Sequence, residues 1–417
     1  MGNSQGLLSR LLANIIVFSA LPAFSATPVT LEQLLTMAEE YHPLLRAGMA
    51  QIEGAQGRLR SARAYPNPTI SGITGAQTIR VPGNVSGQSQ FFTFSQPLEL
   101  GLLRPTRIEL AKRNRETIEN LLAGTRLSVL SAVRRAFFQV LRRKDEIQIQ
   151  TENLRLVEDL RRRIQVRVDV GEAGRLELIR ADAELVTARS AANSARLQYI
   201  SALAQLRASV GSVLPADLEV SGKLDEPVAL PPLEELRQQA LANHPAMAYM
   251  RSEIRRSEAR VQYEIAQRRP QPSIIGELEQ PPDSPSYRFG VSIPLPVWYR
   301  RDGEIAEATA EVRRASALAQ SREFEFLSAI DGAYARYEVA SQQLAAFQDG
   351  LLREANEAVR AAEAAYRLGE RGILEVLDAQ RVLRTVRLDY LNAQYDRQAA
   401  LIDLLELRAL DMRRNIP

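Results

Sequence analysis

Tyr287-Arg288-Phe289-Gly290-Val291-Ser292-Ile293 alternates apolar side chains with small or polar ones, the pattern of a half-buried strand. A second run, Ser273 to Glu279, precedes it. Between them lies Gln280-Pro281-Pro282-Asp283-Ser284-Pro285, too rich in proline to continue either strand, so the two runs predict a hairpin. In the N-terminal half, Thr69 to Thr78 and Ser89 to Gln96 flank a tip containing Pro82, Gly83 and Gly87, and predict a second hairpin with weaker alternation.

The hairpins are not the only landmarks that occur twice. His42-Pro43 returns as His244-Pro245 and Pro66-Asn67-Pro68 as Pro270-Gln271-Pro272. Downstream, Ser95-Gln96-Pro97 is echoed by Ser292-Ile293-Pro294, and Gly171-Glu172-Ala173-Gly174 by Gly369-Glu370-Arg371-Gly372. Four landmarks in one order, each pair about 200 residues apart, predict a duplicated structural unit.

Around the hairpins the chain is written for helix. From Leu102 to Val168 only Pro105 and Gly124 interrupt helix formers, and a helix of that span is roughly 100 Å long. Leu127, Leu130, Val133, Phe137 and Leu141, then Val157, Leu160, Ile164 and Val168, step by three and four, a coiled-coil-like stripe with charged flanks. Gly171 and Gly174 mark a reversal into a helix over 175–210. The second half repeats the plan, with helices over 233–268 and 303–368, a reversal at Gly369 to Gly372, and a last helix from Ile373 to about Leu410. Leu388, Leu391, Tyr395, Ala399, Ile402 and Leu405 share one side of it. The predicted organisation is therefore a first repeat over 26–210, a proline-rich linker over 211–232, a second repeat over 233–410 and a tail over 411–417.

Residues 1–25 have the layout of a secretory signal: Arg10, the apolar run Leu11 to Phe18, then Ala23 and Ser25. The run is shorter than the ~20 residues of a spanning helix. With 53 Lys and Arg against 50 Asp and Glu, interleaved along helical stretches, no field strong enough to hold nucleic acid is evident. The absence of cysteine excludes a disulfide scaffold and a thiolate metal site. No nucleophile elbow, phosphate loop or metalloprotease helix appears, so neither an enzyme nor a cofactor site is expected. His42 and His244, the only histidines, have no His or Cys neighbour to share a metal, and the proline after each restricts it to extended backbone or a helix break.

Each strand is near the ~9–11 residues that a tilted membrane strand needs. Four strands cannot close a barrel, and an open edge in lipid is prohibitively costly, so membrane hairpins would require several copies of the chain. The alternative on pattern alone is a pair of water-exposed hairpins capping a helical scaffold in the periplasm, without a pore.

The order of signal, helix, hairpin, long helix, reversal and helix, given twice, resembles the TolC family of outer-membrane efflux proteins over the mature chain. Ser95-Gln96-Pro97-Leu98-Glu99-Leu100-Gly101 and the run from Ile293 to Glu304 resemble the strand-to-helix passages of its CzcC-type branch, which serves heavy-metal efflux; Leu102 and Leu103 depart from that pattern, in which glycine and basic residues are usual. The resemblance implies a mainly α fold with β strands, a homotrimer whose four strands per protomer form one twelve-stranded barrel, and a helical tunnel into the periplasm. It implies a passive channel that completes a tripartite pump with a periplasmic adaptor and an inner-membrane RND-type transporter. Organic-drug efflux and type I protein secretion would share the same landmarks.

The resemblance also implies roles for residues at the reversals. Tyr366 and Arg371 would tie the inner helix pair to Glu177 and hold the tip closed. Glu375 with Asp378 would ring the tunnel entrance, their spacing allowing one helical face to present both, so that three copies concentrate six carboxylates and favour cations. Two competing readings are an ordinary Arg371 to Glu375 pair and neutralisation of the ring by Arg381. Gly171, Glu172, Gly174, Gly369, Glu370 and Gly372 would meet the adaptor.

Overall fold

The computed structural model describes residues 28–77, 87–212, 214–215, 218–224, 228, 230–282 and 284–409. The predicted signal segment over 1–25, the tip positions Gly83 and Asp283 and the tail over 411–417 lie outside the described residues.

Each half opens with two helices that meet at a histidine. Helices α1 (Leu31–Tyr41) and α2 (Pro43–Arg63) join at His42, whose extended backbone (φ −64°, ψ 125°) is forced by the proline that follows. Its Nδ1 accepts a hydrogen bond from the Leu44 N–H at 3.2 Å, capping α2. The second half is predicted to run as one helix over 233–268, but the same device splits it. There α5 (Leu233–Asn243) ends at His244, which caps α6 (Pro245–Gln267) through the Ala246 N–H at 3.1 Å. Burial lowers the pKa of both imidazoles, that of His244 to about 4, which keeps the accepting nitrogen unprotonated.

Strands β1 (Thr69–Gln77), β2 (Gly87–Pro97), β3 (Ser273–Gln280) and β4 (Ser286–Ser292) form one antiparallel sheet in the order β1-β2-β3-β4. The two hairpins are joined through the β2 to β3 ladder, so the duplicated halves share one sheet. The register sets Ile70 opposite Phe94, Phe94 opposite Gly276 and Gly276 opposite Phe289; one pair along, Phe92 faces Leu278 and Leu278 faces Tyr287. Since alternate residues share a face, Ile70, Phe92, Phe94, Ile274, Leu278, Tyr287, Phe289 and Val291 make one apolar face, and all are exposed. The opposite face is mixed: Ser71, Thr93, Ser95 and Arg288 lie on it, Arg288 pairing with Glu279 at 2.8 Å and Glu277 at 3.9 Å, but so do Ile275 and Ile73, the latter opposite Phe91. Among the described residues of one chain β1 and β4 each keep an unpaired edge.

From the sheet, α3 (Leu103–Asp169) runs 67 residues without interruption, about 100 Å at the helical rise, and α4 (Arg175–Val210) returns along it. The predicted stripe on α3 is buried at Leu130, Val133, Phe137, Leu141, Val157, Leu160 and Ile164. It meets Leu185, Leu203, Leu206 and a row of buried alanines on α4 that lets the helices approach closely. The segment between halves joins this core: Leu214, Leu218, Val220 and Leu224 are buried in it, and Val220 bridges Val29 in parallel. In the second half α7 (Asp302–Ala346) and α8 (Leu352–Arg367) are predicted as one helix. They are separated by a π turn, Phe347–Leu351, in which Gly350 takes φ 150°, a conformation almost closed to other residues. The last helix is α9 (Ile373–Arg408).

Both reversals are built alike. Gly171 and Gly369 adopt left-handed φ of 79° and 76°, which lets the Glu172 N–H reach the Arg167 carbonyl at 2.8 Å and the Glu370 N–H reach the Ala365 carbonyl at 2.9 Å. The two tips pack together through Leu160, Ile164 and Ala181 against Ile373, Val376 and Leu377, at the end of α3 remote from the sheet.

Candidate functional site at the helical tip

Tyr366 stands on the last turn of α8 and Glu177 on the first turn of α4, and the packed tips bring them together. The Tyr366 hydroxyl donates to Glu177 Oε2 at 3.3 Å. Burial and the neighbouring Glu177 charge raise the phenol pKa, so the hydroxyl remains a donor. Arg167 lies over the same ring, its guanidinium carbon 4.9 Å from the centroid. Arg371, the third predicted member, is not brought in. The Gly369 reversal commits its backbone N–H to the Ala365 carbonyl, and its exposed side chain makes no ion pair among the described residues of one chain. The predicted tie from Arg371 to Glu177 is therefore absent within the protomer, and Arg167 is the cation that contacts Tyr366.

Glu375 and Asp378 open into one groove of ≈ 610 Å³ between α4 and α9, with Arg180, Glu184 and Arg381 on its other walls. Neither carboxylate bonds to Arg371 or Arg381 among the described residues. Arg381 instead pairs with Glu184 at 3.0 Å, and Arg384 approaches the same carboxylate at 3.8 Å. Of the two competing readings, the Arg371 to Glu375 pair is thus not formed, and Arg381 is already engaged. Three carboxylates and two guanidiniums line the groove, and with Glu184 taken by Arg381 and Arg384, Glu375 and Asp378 are the carboxylates without an ion pair among the described residues.

Above the tip, α9 meets α3 along a polar seam. Gln150, Asn153 and Gln380 are buried, and among the described residues Gln150 Oε1, Asn153 Nδ2 and Gln380 Oε1 have no hydrogen-bond partner. Unpaired amides weaken a helix interface, so this seam between α3 and α9 contributes less than the apolar cluster at the tip. Gly171, Glu172, Gly174, Gly369, Glu370 and Gly372 are all exposed at the end, flanked by exposed Val166, Val170, Leu368 and Leu374. Among the described residues no group of three His, Cys, Asp or Glu could hold a metal ion, and no helix is long and apolar enough to cross a membrane.

The sequence profile described as outer membrane efflux protein matches residues 34–212 and 236–409. The cobalt-zinc-cadmium resistance protein CzcC of Cupriavidus metallidurans is 28% identical over 376 residues, covering 89% of this chain and 87% of that protein. The outer membrane efflux protein BepC of Brucella suis is 25% identical, covering 69% of this chain and 64% of its own length. Among solved structures, CusC superposes with a TM-score of 0.79 at 19% identity, covering 91% of each chain. The Campylobacter jejuni CmeC outer membrane channel does so with 0.80 at 17% identity, covering 91% of this chain and 85% of that one. At such identities these likenesses concern the fold.

Proposed function

We propose, from the premise that this chain belongs to the outer membrane efflux protein family and is an outer-membrane channel protein extending into the periplasm, that three copies close one twelve-stranded barrel and conduct heavy-metal cations outward. The chain is a conduit and not an enzyme. The observation that carries the trimer is the sheet, with an exposed apolar row on one face, the charged Glu277, Glu279 and Arg288 all on the other, and β1 and β4 unpaired on their outer edges among the described residues. Each unsatisfied backbone group in lipid costs several kcal/mol, so β4 of one copy pairs with β1 of the next until no edge remains. The cargo reading is supported by the relative whose name assigns it to cobalt, zinc and cadmium resistance.

In this reading the chain is the outer element of a tripartite pump. An inner-membrane RND-type transporter supplies the work and a periplasmic adaptor meets the exposed reversals around Glu172 and Glu370. Glu375 and Asp378 from three copies form an acidic ring that favours cations at the entrance. Tyr366 with Glu177 latches the inner helix pair, and Arg371 is free to pair across the protomer boundary.

In detergent the chain should have the mass of three protomers; a monomer would refute barrel closure. A strain lacking it should lose tolerance of cobalt, zinc and cadmium salts and keep its tolerance of organic antibiotics. The reverse pattern would assign an organic cargo.

A further inference from the structure

The two repeats meet below the sheet in a groove of ≈ 790 Å³, where α3 lies between α2 and α6. Arg58 on α2, Leu110 and Asn114 on α3, and Arg260 and Tyr263 on α6 all open into it, with Tyr65 just past the end of α2. Arg58 and Arg260 are counterparts under the duplication, each sixteen residues after the histidine that caps its helix. The repeat thus brings two copies of one arginine to a single groove.

Most of the other charge in the groove is committed. Arg107 donates to the Ala62 and Ala64 carbonyls at 3.0 and 2.8 Å and to Glu99, and Arg256 bonds to Glu253 at 2.7 Å. The carboxylates lining the groove, Glu264 and Glu311, are taken at 2.6 and 2.8 Å by Arg301 and Arg314, which stand outside it. Arg58 is left over. Among the described residues it has neither a hydrogen bond nor an ion pair, and the Asn114 amide and the Tyr263 hydroxyl have none either. Arg260 has only the exposed Glu307, at 3.7 Å, a contact that contributes little.

We infer that this groove is a binding site for an aromatic carboxylate. The acid head spans the guanidiniums of Arg58 and Arg260, whose planar forks match the two oxygens of a carboxylate. The ring lies on Leu110 and Ala62 between Tyr65 and Tyr263, and Asn114 is left to meet a polar substituent. The volume suits an organic molecule and exceeds what a bare inorganic anion fills. Arg104, 4.3 Å over the Tyr65 ring, holds that wall in place. Since α2 and α3 belong to the first repeat and α6 to the second, an occupant ties the two halves together.

The inference goes beyond the proposed conduit and needs neither its cargo nor its trimer, because one chain supplies every group. Equilibrium dialysis of the full chain in detergent against 2-naphthoate should show saturation at one naphthoate per chain, and the thermal midpoint should rise as the site fills. Arg58→Gln with Arg260→Gln should weaken binding roughly tenfold or more and leave the midpoint without naphthoate unchanged, since both side chains are exposed. Uptake that never saturates, or that this pair of substitutions leaves as it was, would be partition into the micelle and would overturn the inference. Displacement of naphthoate by an equal concentration of inorganic phosphate would make the groove a bare-anion site, and equally tight binding of methyl 2-naphthoate would show the guanidiniums to be idle; either would overturn it. Asn114→Trp fills the groove with both arginines in place and decides the matter if the glutamine pair misfolds: binding should be lost, and unchanged affinity would overturn the assignment.

Discussion

Replacing Tyr366 with Phe removes one hydroxyl and leaves the ring, so the stacking of Arg167 survives while the hydroxyl's hydrogen bonds, to Glu177 and to the Arg167 side chain, are lost. Hydrogen bonds to charged groups contribute about 1.5–3 kcal/mol, and the one to Glu177, long and partly open to water, lies near or below the lower bound, about 1 kcal/mol. In a trimer that opens as a unit three such bonds are released together, about 3 kcal/mol, which shifts the ratio of closed to open tips roughly a hundredfold. Single-channel recording of the detergent-purified trimer in planar bilayers should show a higher mean conductance. Glu177→Gln should have a similar effect, and combining the two substitutions should add little, since both remove the same contact. An unchanged conductance in a correctly assembled Tyr366→Phe trimer would refute the latch. Arg371→Ser tests the remaining part: it should alter conductance only through a contact between protomers, because Arg371 has no ion pair among the described residues of its own chain.

The acidic groove makes a second prediction: Glu375→Gln with Asp378→Asn should lower the preference for cations and weaken block by multivalent cations, and unchanged selectivity would place the constriction elsewhere. The histidine cap gives a pH dependence. His244 is held to about 4, below its ordinary 6.5, so its neutral form stabilises the fold fully above about pH 6.5 and progressively less as the pH falls toward 4. That stabilisation is at most ~3 kcal/mol, less by whatever screening its partial exposure allows. In His244→Asn, which retains a capping side chain, the thermal midpoint should vary less over that range; an identical pH profile would show that the cap does not titrate. Cysteines at Glu172 or Glu370, in a chain with none of its own, should crosslink to a periplasmic adaptor, whereas crosslinking only from the sheet end would reverse the orientation.

The reversals and α4 were legible in the sequence because glycine punctuates helices for a local reason: Gly171 and Gly369 take a backbone conformation that other residues avoid. The strands were legible because alternation survives at an exposed face. The π turn was not legible. Gly124 and Gly332 sit inside unbroken helix while Gly350 does not, and nothing within a few residues of each distinguishes them. Arg167 was hidden for another reason. It is one of many arginines on α3, and the ring it covers is supplied by the other half of the chain; Tyr366 stands 189 residues from Glu177. The tie from Arg371 came from the family resemblance, and a single protomer does not make it.

The duplicated halves have diverged in one mechanical respect. The first half reaches the tip on one continuous rod, α3, whereas the second reaches it on α7 and α8 with the π turn at Phe347–Leu351 between them. An unbroken helix transmits thrust along its axis; an interrupted one bends where its ladder is interrupted. The second half therefore acts as a jointed strut beside a stiff one, and displacement of α8 is absorbed near Gly350 before it reaches the sheet. In the proposed trimer, dilation at the periplasmic end would thereby be uncoupled from the barrel, whose circumference would stay constant while the aperture below it changed.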